Sequence, residues 1–129
     1  MAYNILIVDD SSVTRNVMAR TIRMCGVDVG AIYFAENGKQ GLEQLEKVWA
    51  DMVFCDINMP VMNGLEFVKE LRTKEEWQDL AVVIVSTEGS KTRIEELEEA
   101  GIRGYIRKPF TAEQVAEMIN KVLGEGAHA

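Results

Sequence analysis

The chain lacks the features that mark several large protein classes. None of its apolar runs approaches the roughly 18 residues of a membrane span, so no membrane association is expected. The N-terminus has no basic stretch followed by an apolar core, so no secretory leader is expected either. Cysteine is scarce. Cys25 and Cys55 are the two present, and they form no CxxC pair, so both read as reduced thiols of a cytoplasmic protein. Positive charge is short: 14 Lys and Arg face 21 Asp and Glu, a net charge of -7. That balance argues against non-specific nucleic-acid binding, which needs a basic surface. Neither G-x-G-x-x-G nor a Walker A loop occurs, which removes the common nucleotide cradles.

What remains is ordinary for a globular domain. The 129 residues are one domain's worth, with 47% hydrophobic and 27% charged residues. The excess of acid suits a cation site, although most of it reads as solvated helix surface. Five short apolar runs alternate with five helical patterns. The runs are Asn4 to Val8, Val29 to Phe34, Met52 to Cys55, Ala81 to Val85 and Gly104 to Arg107. The first helix is expected over Ser12 to Met24, with Val17, Met18, Thr21, Ile22 and Cys25 inward and Gly26 as its C-cap. Asn37-Gly38 opens a second helix carrying Leu42, Leu45 and Trp49 on one face. Asn63-Gly64 opens a third with Leu65, Val68 and Leu71 inward. Residues 74–79 read as a polar connection. Ser90 caps a charged fourth helix stopped by Gly101, and Thr111 with Gln114 forms a capping box for the fifth. Residues 124–129, with the only histidine at His128, read as a frayed tail. Alternating β and α units with apolar strands predict a doubly wound α/β fold, a parallel sheet between two helical layers with right-handed crossovers.

In such sheets ligands bind beyond the carboxyl ends of the strands. Four of the five runs end in chemistry: Asp9-Asp10, Asp56, Ser86 and Lys108. The second ends in Phe34-Ala35. With strand order 2-1-3-4-5 the four equipped strands are neighbours and the unequipped one is the edge. Asp56 is the most telling, because a bare carboxylate after the apolar Met52-Val53-Phe54-Cys55 is costly to bury without partners. Taken singly, Asp9 or Asp10 reads as a helix cap, Ser86 as a loop hydroxyl and Lys108 as a surface lysine. Together at four adjacent strand ends they read as one pocket. Three carboxylates there would repel one another unless a hard divalent cation such as Mg²⁺ sat between them. Cation, lysine, hydroxyl and a free carboxylate oxygen are what an anionic phosphoryl group needs, and Asp is a known phosphoryl acceptor.

The motifs ILIVDDS, D-x-N-M-P-x-M-N-G, V-S-T-E and Y-I-R-K-P-F resemble those of response-regulator receiver domains, in particular the single-domain, chemotaxis-type CheY-like members. The resemblance spans residues 4 to 123 and implies one receiver domain over 1–129. It also implies the flavodoxin-like (βα)5 three-layer sandwich; CheY is a standard example of the 2-1-3-4-5 order, so that order comes with the family. By the same resemblance Asp56 is the phosphoacceptor. Asp9, Asp10 and the Asn58 backbone carbonyl join it around Mg²⁺, with Asp10 the more direct ligand of the acidic pair. Ser86 and Lys108 contact the phosphoryl oxygens. Ser86 and Tyr105 form the switch, and a cis peptide is expected at Lys108-Pro109. Asn58 and Glu88 tune dephosphorylation. The implied partners are a histidine kinase as donor and a downstream protein on the surface of the fourth helix, fifth strand and fifth helix. The implied protein is a cytoplasmic monomer that catalyses only its own phosphorylation and dephosphorylation. A phosphorelay intermediate or phosphate sink competes within the class. From outside it, an Asp-nucleophile phosphohydrolase competes, although such enzymes place their acids two apart and here Asp9 and Asp10 are adjacent.

Overall fold

The computed structural model describes residues 2–87 and 89–124. Five parallel strands, β1 (Tyr3–Val8), β2 (Val29–Ala35), β3 (Met52–Cys55), β4 (Ala81–Ser86) and β5 (Gly104–Arg107), form one sheet in the order β2-β1-β3-β4-β5. The helices between and after them are α1 (Ser12–Met24), α2 (Gly38–Lys47), α3 (Gly64–Arg72), α4 (Lys91–Ala100) and α5 (Ala112–Ile119). A π-helical segment, Asn120–Gly124, continues α5, so Gly124 still lies in helix, while 125–129 and His128 fall outside the described residues.

Both sheet faces are covered, which is why the central strands are apolar at successive positions rather than alternately. On one face Leu6, Val8, Val53, Cys55, Val82 and Ile84 pack with Leu45, Phe67, Val68, Leu71 and Leu97 of α2, α3 and α4. On the other, Ile5, Ile7, Met52, Phe54, Val83 and Val85 pack with Met18 and Ile22 of α1 and Val115 and Ile119 of α5. The period of two along each strand sorts its side chains between the cores.

Each helix begins where a side-chain oxygen takes an otherwise orphaned amide. Ser11, Asn37, Asn63, Ser90 and Thr111 accept from Thr14, Gln40, Glu66, Arg93 and Gln114. Each such cap stabilises by ~1 kcal/mol. Glu66 and Gln114 return the bond to the cap amide. α1 ends on Cys25, and Gly26 follows it at φ 89°.

Three details depart from the sequence reading. Val17 is exposed, because α1 offers its core only the Met18 and Ile22 side. Trp49 lies beyond the end of α2 and is 72% exposed. The 74–79 connection contains a 3-10 turn, Glu75–Trp77.

Candidate functional site

The site grows from the strand ladder. The Asp9 amide extends β1 by donating to Ala35 O, and the Asp56 amide extends β3 by donating to Val8 O, both at 3.0 Å. The two carboxylates therefore leave adjacent strands at the same level. Asp9 is buried; its Oδ1 accepts the Ser11 amide at 2.9 Å, and its own carbonyl accepts from the Arg15 guanidinium at 2.6 Å. Asp56 Oδ1 accepts the Ile57 amide at 2.7 Å. Lys108 arrives from the end of β5, held by its amide on Ser86 O at 2.9 Å and followed by a cis bond to Pro109. Its ammonium donates to Asp9 Oδ2 at 3.2 Å and to Asp56 Oδ2 at 3.3 Å. Asp10 is exposed at the rim, yet one oxygen from each of Asp9, Asp10 and Asp56 lies within 4.8 Å of the others.

Among the described residues, Lys108 thus ion-pairs with two of these three neighbouring acids, Asp9 and Asp56. Burial pushes the Asp56 carboxyl upward; Lys108 pulls it down, but Asp9 adds to the upward push and the net direction is up. Burial acts against the Lys108 ammonium, and the two carboxylates outweigh it, so Lys108 titrates above its usual value. Each oxygen of Asp9 and Asp56 has a hydrogen-bond donor, but the two carboxylates share a single ammonium between them. That surplus of carboxylate oxygen at short range is the donor set of a hard divalent cation. Beneath it Cys55 is fully buried. Burial, with Asp56 and Asp9 beside it, holds its thiol well above the usual range, so it stays protonated and inert.

The remaining expected residues are placed as follows. Ser86 is 1% exposed at the end of β4, paired in register with Arg107. Tyr105 is half-buried on β5 beside Ile84, packed against the α2–α4 core. Asn58 is exposed in the loop after β3. Glu88 lies outside the described residues. Three residues were missed from sequence. Arg15 fixes the Asp9 backbone, and its signal was its place in the first turn after the Ser11 cap. Gly64 donates its amide to Ile57 O at 2.8 Å, and a Cβ there would collide with the Asp56 carbonyl oxygen. Val61 adopts φ 68°, which nothing in the sequence foretold.

A doubly wound sheet whose strand ends gather acids beside one lysine is the architecture of an α/β domain with a candidate cation site, and the comparisons give its family. The family model for the response regulator receiver domain matches residues 5–120. A chemotaxis protein CheY homolog of Campylobacter jejuni is 37% identical over 95% of this chain and 94% of its own. The chemotaxis protein CheY1 of Helicobacter pylori is 34% identical over 93% and 96%. The structure of Vibrio cholerae chemotaxis protein CheY4 superposes with a TM-score of 0.86 at 30% identity, covering 95% of this chain and all of that one. The chain belongs to the response regulator receiver family.

Proposed function

We propose that this protein is a chemotaxis-type response regulator that takes a phosphoryl group onto Asp56 from a histidine kinase and changes its affinity for a protein partner. The observation that carries the reading is the Asp56 carboxylate, fixed by the Ile57 amide and Lys108 with Asp9 and Asp10 oxygens within 4.8 Å. The relatives named for chemotaxis support the pathway class. In the transfer an Asp56 oxygen forms a bond to phosphorus as the bond to the donor imidazole nitrogen breaks. In dephosphorylation water adds to phosphorus and the Asp56 carboxylate leaves with its electron pair. Asp9, Asp10, Asp56 and the Asn58 carbonyl would hold Mg²⁺, which when bound neutralises the acids and the incoming phosphoryl oxygens. Lys108 is already positioned by Asp9, so its ammonium exchanges the Asp56 oxygen for a phosphoryl oxygen without a large movement.

Ser86 closes β4, the strand beside β3, and Tyr105 lies on β5 one strand further. We assign them the two ends of the switch, with α4, β5 and α5 as the output face. The switch needs a phosphoryl group that favours one of two arrangements. Asn58 adjusts the attacking water; Glu88 has the same assignment from the family pattern. The protein acts as a cytoplasmic monomer and turns over no substrate but its own phosphoryl group. No helix among the described residues is long and apolar enough to cross a membrane.

Incubation with acetyl phosphate and Mg²⁺, followed by intact-mass measurement, tests this. One phosphoryl adduct is expected, absent in Asp56→Asn. No adduct, or one that survives the substitution, overturns it. Continuous release of phosphate from small phosphomonoesters would point to a hydrolase instead.

A further inference from the structure

At the amino ends of the strands, far from Asp56, lies a cleft of about 250 Å³ between the end of α2 and the Glu75–Trp77 turn. Its walls carry Trp49 and Trp77, both tryptophans of the chain, and its rim carries Asp51, Glu76 and Asp79. Trp49 is 72% exposed, so burial does not explain its place. It is held all the same. Its indole Nε1 donates to Asp51 Oδ1 at 3.0 Å, and Asp51 Oδ2 accepts the Asn4 amide of β1 at 2.8 Å. The opposite wall is fixed as firmly. Arg72 donates to Trp77 O at 2.8 Å, to Leu80 O at 3.0 Å and to Gly101 O at 2.6 Å. An exposed indole gains little by losing its freedom, unless a ligand later benefits from finding it fixed.

We propose that this cleft is a docking site for an arginine side chain carried by a segment of a partner protein. The volume lies below the roughly 300–1,000 Å³ of pockets for whole small molecules, and one long side chain suits it better. Two indoles line it, one of them the half-buried Trp77, and a guanidinium stacks on aromatic rings more readily than an ammonium. Glu76 is an exposed carboxylate at the mouth, of the charge that a guanidinium pairs with, whereas Asp79 already lies beside Arg103 and Arg72. The chain's charge of -7 favours a cationic partner segment over an acidic one. Arg72 does not compete for the indoles, since its donors are directed to backbone carbonyls. The site needs neither Asp56 nor a phosphoryl group, so it stands apart from the function proposed above.

Because both tryptophans line the cleft, their two indole N–H resonances report on it, Trp49 from the exposed wall and Trp77 from the wall packed on the core. The ¹⁵N-labelled full chain is titrated in saturating Mg²⁺ with the peptide acetyl-Gly-Arg-Gly-amide and with its neutral citrulline counterpart. Both indole signals are expected to shift saturably with the arginine peptide. Binding is expected to weaken about tenfold for citrulline, which loses the whole charge, and about threefold for Trp49→Ala or Glu76→Gln, each the loss of one exposed cation contact. Both substituted positions are exposed, and retained amide dispersion verifies their folding. Equal shifts with both peptides overturn the proposal. So do unmoved indoles with shifts around Asp56 instead, or unchanged affinity in the folded Trp49→Ala variant.

Discussion

At the carboxyl ends of the strands, Asp9 and Asp56 share one lysine, while at the amino ends Arg72 directs one guanidinium to three backbone carbonyls. The first arrangement leaves negative charge in excess: burial and Asp9 raise the Asp56 carboxyl more than Lys108 and the Ile57 amide lower it. The second satisfies carbonyls of the 3-10 turn (Trp77), of Leu80 just before β4 and of Gly101 at the end of α4. The difference teaches how one small fold divides its tasks. Electrostatic tension is kept where a bound cation would relieve it, and the opposite end is tied down against it.

The sharpest way to break the comparison is at Gly64, where the active end depends on close backbone approach. A methyl there meets the Asp56 carbonyl and, at 3.0 Å, Ile57 Cα, and neither can rotate aside. Gly64→Ala is expected to cost about 3 kcal/mol in urea unfolding, the upper range of overpacking, and to slow phosphoryl uptake because it displaces Asp56. A wild-type unfolding midpoint would mean that the loop is looser than its backbone contacts imply. Arg72→Leu probes the other end. It removes three charge-assisted bonds while keeping apolar bulk. Discounted for a half-exposed site, the loss is expected at about 2 kcal/mol. Uptake of phosphoryl from acetyl phosphate should stay near the wild-type rate; loss of uptake in the folded variant would show that the ends are not separable.

These two residues also mark how far the sequence is legible. Strand ends, caps and the acid–lysine set were readable because each follows from local chemistry: an apolar run closed by a carboxylate, or Asn63 three residues before Glu66. The family resemblance supplied strand order and residue roles. Arg72 was not readable, because its carbonyl partners Leu80 and Gly101 lie across the fold, and nothing local distinguishes it from a solvated arginine. Val17 and Trp49 misled for the opposite reason. Val17 has the helical spacing, but α1 has no neighbour on that side, and Trp49 follows α2, which stops at Lys47 with Val48 extended. Gly64 was read as a helix opener, and its contact with Asp56 O is tertiary.

A smaller effect of opposite sign tests the tension itself. Asp56→Asn removes a charge that the metal-free fold disfavours, so it is expected to stabilise the protein by ~1 kcal/mol at neutral pH. The gain should shrink as Mg²⁺ is added, because the cation stabilises the wild type more. Its pH dependence has a definite sign. The folded Asp56 carboxyl titrates above its ordinary value of 3.8, so its ionisation opposes folding at high pH. The advantage of the variant is full above the folded pKa, fades as pH falls through it, and vanishes below 3.8. Paired thermal melts from pH 3 to 7 measure the difference directly; an advantage that grew toward acid would reverse the assigned sign.

The smallest effect sits in the loop that follows β3. Val61 holds φ 68° with its side chain 76% exposed, so it accepts left-handed strain without gaining burial. That region costs a β-branched residue about 1–2 kcal/mol. Glycine removes the strain but loses roughly 0.5–1 kcal/mol more chain entropy on folding. The strain is the larger quantity, so Val61→Gly is expected to stabilise by about 0.5–1 kcal/mol in urea unfolding. Val61→Ala, which keeps a Cβ and gives up only the branching, should recover less. Equal gains from both would place the cost in the branched side chain rather than in the backbone. A loss from glycine would mean that the Met59–Asn63 loop relies on Val61 to restrict the unfolded chain more than it suffers from the strained dihedral.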